Sequence, residues 1–295
     1  MNILFVSRLI ILFLLFSVLS VSFPANAASN SINTKIMTFN VRVPVDPHPN
    51  DWVSRKPRVL ALIKHQNPDF FGIQEALPEV LTDINNSFDG YGQIGRGRNQ
   101  DSGGEGVQIF YKKKNWKLDN YDTGTLQLSP TPEIPGSNGW NMQFPRVVTW
   151  GRFIEKKSER AIYIFNTHFP LVPRERLLSA TLLARTIADR KHPHDPVVLS
   201  GDFNACEAED SIQYLLGAGN SPINLKDSYR AINVDEKTGT FHEFGKQNES
   251  CKVDYIFTSS DITVVASEII KDDPKIGFSS DHYAVTAKLK IIKTH

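Results

Sequence analysis

Six short stretches of the chain set a polar residue at the edge of a strongly apolar run. Asn40 follows Ile36-Met37-Thr38-Phe39, Glu75 follows Phe70 to Gln74, and His168 follows Ile162 to Thr167. Asp202 and Asn204 come after Pro196 to Gly201, Asp254 opens Asp-Tyr-Ile-Phe, and Asp281-His282 precede Tyr-Ala-Val. One such residue means little: Asn40 alone reads as a strand-end cap, Glu75 as the acid of a helix start, His168 as a core histidine and Asp202 as a turn residue. A series of them points to one rim of a sheet, where rigid elements hold reactive groups. The types also agree chemically. Hard cations such as Mg²⁺ take carboxylate and amide oxygens, which Asn40, Glu75 and Asp281 could supply. Asp202 and Asn204, two apart, would point the same way from an extended segment with Phe203 buried. His282 needs a carboxylate to orient its ring, and Asp254 is the candidate.

Positioning these groups requires alternating sheet and helix. β-rich patterning predicts strands at Ile36–Val41, Asp69–Gln74, Val107–Tyr111, Arg146–Ile154, Ala161–Thr167, Pro196–Leu199, Val253–Thr258, Ile262–Val265 and Ala284–Ile292. Helical spacing predicts helices over Asp51–Gln66, stopped by Asn67-Pro68, over Pro78–Phe88, Arg174–Asp189 and Ser211–Leu216. Glycine-rich Gly90–Gly106 and proline-rich Leu126–Gly139 read as loops. There is no internal repeat. Many strands without strict β-α-β alternation give an α+β class with packed sheets.

The 295 residues, 40% hydrophobic and 22% charged, fit one globular domain over residues 28–295. Residues 1–27 read as a signal peptide: Arg8, an apolar run from Leu9 to Phe23, then Ala25-Asn26-Ala27 as cleavage site. Export to periplasm or medium is expected, with an uncleaved membrane anchor as the alternative. The formal net charge of +1 falls to about zero once Arg8 is lost, so the global basic signature of a nucleic-acid binder is missing. Cys206 and Cys251 allow one intramolecular disulfide or two unrelated thiols. No HExxH, cysteine quartet, P-loop or G-x-S-x-G occurs, which disfavours a zinc site and a serine hydrolase. His48, His65, His192, His194, His242 and His295 lack ligand spacing and read as surface residues.

Together the stretches TFN, PDFFGIQE, FPRVVTW, NTHF, SGDFNA, VDYIF and SDHYAV resemble the endonuclease/exonuclease/phosphatase superfamily, in the family's order. The resemblance implies a four-layer α/β/β/α sandwich, with two mostly antiparallel sheets between helices. It implies Glu75 as the principal metal ligand, helped by Asn40 and Asp281, with Mg²⁺ or Mn²⁺ as the ion. Asp202 would activate water, and His282, held by Asp254, would bind phosphate or act as base. Asn204, Asn166 and His168 would contact phosphate oxygens. Arg146 would support the site, and Glu105 would pair with His168 and keep it protonated for the leaving group. Cys206 and Cys251 match the disulfide positions of secreted deoxyribonuclease I-like enzymes. The stretch LSPTPEIPGSNGW resembles a bacterial clade related to carbon catabolite repressor 4 and nocturnin-like enzymes. Two places depart from the pattern: the turn after His168 is shorter by one residue, and Lys252 stands where arginine is frequent.

The leading expectation is a monomeric exported nuclease with a basic rim of Arg96, Arg98, Arg146, Arg174 and Arg176. The alternative is a phosphatase on a small or lipid-headgroup phosphate, with a pocket walled by Trp52, Trp140 and the Leu126–Gly139 loop. A binding module that has kept the fold is the third reading.

Overall fold

Residues of alternate parity along each strand face opposite ways, and here both faces are apolar. In β1 (Ser31–Asn40), Ile32 and Ile36 enter one core while Met37 and Phe39 enter another. β7 (Ala161–His168) divides Ile162 and Ile164 from Tyr163 and Phe165 in the same way. Such strands need a cover on each side, and the computed structural model, which describes residues 31–247 and 251–292, supplies it. The segment read as a signal peptide lies outside the described residues.

The first sheet contains β1, β2 (Phe70–Ala76), β3 (Tyr91–Ile94), β4 (Gly106–Lys112), β11 (Ile262–Ile270) and β12 (Ala284–Ile292). The second contains β5 (Trp116–Gln127), β6 (Val147–Glu155), β7, β8 (Val197–Asp202), β9 (Lys226–Asp227) and β10 (Asp254–Thr258). Their orders are β11-β12-β1-β2-β4-β3 and β5-β6-β7-β8-β10-β9. Every neighbouring pair is antiparallel except β1/β2 and β7/β8. Each parallel pair is joined by a helix, α1 (Trp52–Gln66) or α3 (Pro173–Ala188), and followed by a shorter one, α2 (Pro78–Ser87) or α4 (Asp210–Leu215). The sheets share a core that includes Ile36, Phe70, Ile109, Phe153, Ile164, Val198, Ile256 and Val285. Side chains of α1 and α2 pack outside the first sheet, and those of α3 and α4 outside the second. Each fully buried large side chain adds roughly 1.5–3 kcal/mol. The architecture is the expected four-layer sandwich.

Local signals explain most boundaries. Asp51 caps α1, accepting from Ser54 N at 3.0 Å, and Asn67 closes it in a left-handed conformation, φ 47°. Three strands escaped the sequence reading, among them the two-residue β9. β3 lies in the segment read as a loop, because a four-residue, half-buried edge strand leaves no hydrophobic pattern. β5 is an exposed edge strand, interrupted by a bulge between Leu118 and Thr123, so its apolar residues do not alternate. β11 continues to Ile270 past a break in register at Val264/Ala266, which hides its second half. Among the described residues no helix is long and apolar enough to cross a membrane.

Candidate active site

Because β1 and β2 run parallel, as do β7 and β8, both members of each pair end at the same rim. β1 ends at Asn40 and β7 at His168, which pairs in register with Asp202 at the end of β8. Asp254 begins β10 opposite Asp202. Glu75 needs a special device. The β2/β4 register breaks between Ile73 and Ala76, and Glu75 takes φ 63°, a conformation rare for a residue with a side chain. Such strain, of order 1–3 kcal/mol, persists where the surroundings enforce it. Asp281-His282 arrive on the segment before β12, where Ser280 Oγ donates to Asn40 O at 2.7 Å. Arg55 of α1, fully buried, ties the same segments together: it donates to Val41 O (2.6 Å), Arg42 O (3.0 Å), Asn50 O (2.7 Å) and Ser279 O (3.0 Å). Nothing in its helical spacing announces this role.

Asp202 sits at the centre. Its Oδ2 accepts from Asn40 Nδ2 at 2.9 Å and lies 3.5 Å from His168 Nε2 and 3.8 Å from His282 Nε2. Its Oδ1 accepts from Asn204 N at 2.8 Å. Burial, reinforced by the charge of Asp254, pushes the Asp202 carboxyl up to about 7, against the pull of His282. Burial works against charge on His282, but Asp254 and Asp202 outweigh it and push the imidazole up to about 10. The contact is direct: His282 Nδ1 lies 2.9 Å from Asp254 Oδ2. The pairing of His282 with Asp254 is the one expected, but the raised pKa favours an imidazolium, which can donate to phosphate and cannot act as the base.

His168 behaves oppositely. Burial, then the charges of Arg146 and His282, hold it well below the ordinary histidine range. Arg146 Nη1 lies 3.2 Å from His168 Nδ1. Arginine only donates, so Nδ1 accepts and the ring proton sits on Nε2, facing the cleft. This corrects the expectation for Glu105. Its Oε2 accepts from Arg98 at 2.7 Å and from Arg146 at 3.4 Å, so Arg146 intervenes and His168 is neutral.

Three further expectations are corrected. Asn166 is fully buried between the sheets and bonded to protein on all sides, so it cannot touch phosphate. Asn204 does line the cleft, but with φ 49° and its Nδ2 donating to Phe169 O at 3.0 Å, not from an extended segment. His242 is buried against Tyr283 and Phe278 instead of exposed.

The cleft measures about 480 Å³. Glu75, Asp202, Asn204, Asp281, His168 and His282 all face it. So do Arg42, Phe144, Leu171 and Phe241, none of which the sequence reading singled out. Arg42 Nη1 is 3.5 Å from Asp281 Oδ2, and its position two residues past Asn40 was the available signal. Phe144, 42% exposed, lies under the Arg98 guanidinium at 4.6 Å, and Leu171 is 60% exposed. The basic rim expected of a nuclease is mostly neutralised: Arg98 and Arg146 share Glu105, and Arg176 bonds Glu209 at 2.5 Å. Arg174 faces a groove between α3 and α4, and Arg96 bonds Gly97 O. Trp52 packs in the α1/α2 layer and donates to Asp83, and Trp140 is not among the lining residues.

Two donor groups could hold a cation. Asn40, Glu75 and Asp281 carry hard oxygen donors, although Asn40 here turns Nδ2 toward Glu75 Oε1 and Asp202 Oδ2, both at 2.9 Å, while its Oδ1 accepts from Arg42 N at 2.9 Å. Burial raises the Asp281 pKa against the pull of His282 and Arg42, and the charge of Glu75 adds to the rise. This set fits Mg²⁺ or Mn²⁺. Asp202, Asp254 and His282 also bring ligating atoms within 4.8 Å of one another, but the imidazolium already balances that group. Behind it, Cys206 and Cys251 are bonded, joining the loop after β8 to the segment before β10. Lys252, buried, donates to Asp227 Oδ2 at 2.7 Å and stands 3.3 Å from the centroid of the Tyr255 ring.

Comparison with known proteins agrees with this arrangement. The profile of the Endonuclease/Exonuclease/phosphatase family matches residues 37–282. An endonuclease/exonuclease/phosphatase from Bacteroides vulgatus superposes with TM-score 0.81 at 30% identity, covering 89% of this chain and 100% of its own. The mannosyl-6-phosphatase of Bacteroides thetaiotaomicron gives TM-score 0.77 at 26% identity, covering 87% of this chain and 99% of its own. Nocturnin of Drosophila melanogaster is 24% identical over 230 residues, 65% of this chain and 34% of the relative. Members of this group are divalent-metal-dependent phosphoric ester hydrolases, nucleases and phosphatases among them. The match over most of the chain and the shared sandwich show that this chain belongs to the Endonuclease/Exonuclease/phosphatase family and is a phosphoric ester hydrolase.

Proposed function

We propose that the chain is an exported, monomeric, Mg²⁺-dependent hydrolase of phosphorylated small molecules, with residues 28–295 as its catalytic domain. The carrying observation is the cleft around Asp202, which Phe144, Leu171 and Phe241 also line and whose nearby Arg98, Arg146 and Arg176 are paired with Glu105 and Glu209. A phosphomonoester whose alcohol has an apolar face suits that shape, and the likeness to a mannosyl-6-phosphatase supports it.

In this reading Asp202 accepts the proton of the attacking water. His282, kept charged by Asp254, and Nε2–H of His168 donate to phosphoryl oxygens, where transition-state charge resides. Asn204 faces the same oxygens. Asn40, Glu75 and Asp281 would hold the cation, which would supply further neutralisation of the phosphoryl group. Export is supported by the N-terminal leader pattern and by a disulfide, which persists in oxidising compartments.

The test is a Mg²⁺-dependent assay of purified protein on sugar phosphates, nucleotides and oligonucleotides, with Asp202→Ala as control. Preferential release of phosphate from the small esters is expected. Efficient oligonucleotide cleavage without phosphate release would favour the second reading, a secreted nuclease, which the deoxyribonuclease-like disulfide placement recommends.

A further inference from the structure

Asn166 carries one of the densest sets of polar contacts in the interior, yet it touches no cleft residue that would bind substrate. It lies on β7 two residues before His168, one step below the rim, and is 0% exposed. Its Nδ2 donates to Ile73 O and to Gln108 O, both at 3.0 Å. Its Oδ1 accepts from Gln74 Nε2 at 2.8 Å and from Ser200 Oγ at 3.4 Å. Ile73 and Gln108 are the last register pair of β2 and β4 before the break that precedes Glu75. One carboxamide from the opposite sheet thus bonds both strands at the point where their ladder opens, and also grips the residue immediately before Glu75.

The fit is built on both sides. Gly72 faces Asn166 across the sheets, and a Cβ at that position would lie 2.5 Å from Asn166 Cγ. Any larger residue at position 72 would displace the carboxamide. Gln74 Nε2 also donates to Thr38 Oγ1 at 3.0 Å, which links β1, β2 and β7 into one polar layer inside an otherwise apolar core. Buried amides of this kind are costly unless satisfied. Here the four partners fix Ile73, Gln74 and Gln108, so the backbone of Glu75 has little freedom to leave φ 63°.

We propose that Asn166 is a positioning residue of the metal site: from the second sheet it locks the β2 bulge that aims the Glu75 carboxylate into the cleft. The inference rests on the reading of Glu75 as a metal ligand. It assigns the Asn of the Asn-Thr-His stretch to Glu75 geometry instead of phosphate contact. Groups that orient a ligand from behind affect metal affinity by roughly 10–100-fold.

The experiment is direct Mn²⁺ binding by electron paramagnetic resonance and Mg²⁺ binding by calorimetry, alongside kcat and KM. The proteins are wild type, Glu75→Gln, Asn166→Asp, Asn166→Ser and Gly72→Ala. Asn166→Asp keeps the shape but loses the two donors, and Gly72→Ala keeps every polar group but crowds the carboxamide. Both should weaken metal binding about tenfold or more. KM for substrate at saturating metal should stay within about threefold of wild type, and excess Mg²⁺ should restore most of kcat. If Asn166→Ser unfolds, the Asp and Gly72→Ala variants, checked for a cooperative thermal transition, decide alone. Unchanged metal affinity with reduced kcat or raised KM would overturn the proposal. If wild type binds no metal, or Glu75→Gln binds it equally well, the metal-site reading itself fails; if those controls behave, only the role of Asn166 is at stake.

Discussion

Asp202 concentrates at one carboxylate most of what the site can do: two donors fix its oxygens, two imidazoles face it, and burial raises its pKa. Groups held for chemistry are seldom optimal for stability. Asp202→Asn keeps the shape and one of the two acceptors, turns an NH2 toward the donor of the other, and cannot accept a proton. It should lower kcat by about 10²–10⁴-fold while the melting temperature does not fall, measured by kinetics and scanning calorimetry on one preparation. A fall in both would make Asp202 a structural residue. Phe144 presents the complementary case, since its exposed ring touches no group that does chemistry. Phe144→Ala should raise KM for ring-bearing phosphoesters roughly tenfold, the scale of a lost apolar contact. kcat should stay within about threefold, and KM for glycerol phosphate should change less. Equal effects on both substrates would show that Phe144 does not contact the leaving alcohol.

Elements were legible in proportion to how much of their surface is buried. The strands that end in site residues, β1, β2, β7 and β8, are buried on both faces and announced themselves as apolar runs, so Asn40, Glu75, His168 and Asp202 could be read as their ends. β3 and β5 lie at sheet edges and carried no such signal. The cleft walls Phe144 and Leu171 come from segments outside strands and helices, where no period constrains the sequence. Arg55 shows why helix patterning can mislead: a charged residue on α1 is fully buried because four backbone carbonyls need its donors. Arg55→Met should cost at least about 3 kcal/mol, since buried acceptors left bare cost roughly 1–3 kcal/mol each. At roughly 2–4 °C per kcal/mol, the melting temperature should drop by about 6–12 °C. The disulfide adds a second constraint, closing a separation of 45 residues. Replacing both cysteines by serine should remove roughly 4 kcal/mol in the chain-entropy model, measurable as a lower urea midpoint. A midpoint unchanged by the double replacement would show that the two segments hold each other without it.

The whole molecule has an internal correspondence that the sequence does not display. Both sheets follow one pattern of directions, with a single parallel pair in the third and fourth places. Placing the sheets face to face brings the ends of both parallel pairs, Asn40 with Glu75 and His168 with Asp202, to one cleft. Apolar strand composition can be preserved while individual residues drift, so no repeat survives in the sequence even though the topology repeats. Charge is also a property of the whole. The chain is close to neutral, and among the described residues several arginines near the cleft face carboxylates: Arg98 and Arg146 share Glu105, Arg176 pairs with Glu209 and Arg42 with Asp46. A nuclease that tracks a phosphate backbone through 6–10 contacts loses about 10³–10⁵ in affinity between 50 and 200 mM salt. One phosphoryl group held by neighbouring donors in a walled cleft has few counterions to release. For this enzyme kcat/KM on a sugar phosphate should therefore change less than about threefold over that range, at constant free Mg²⁺. The same titration on a single-stranded oligonucleotide separates the two readings of function. If cleavage is efficient at low salt and collapses by orders of magnitude at 200 mM, the substrate is a polyanion and the small-molecule reading is wrong. If the oligonucleotide is a poor substrate throughout, the neutral surface and the apolar wall of Phe144 and Leu171 act together to select a single phosphate on a compact alcohol.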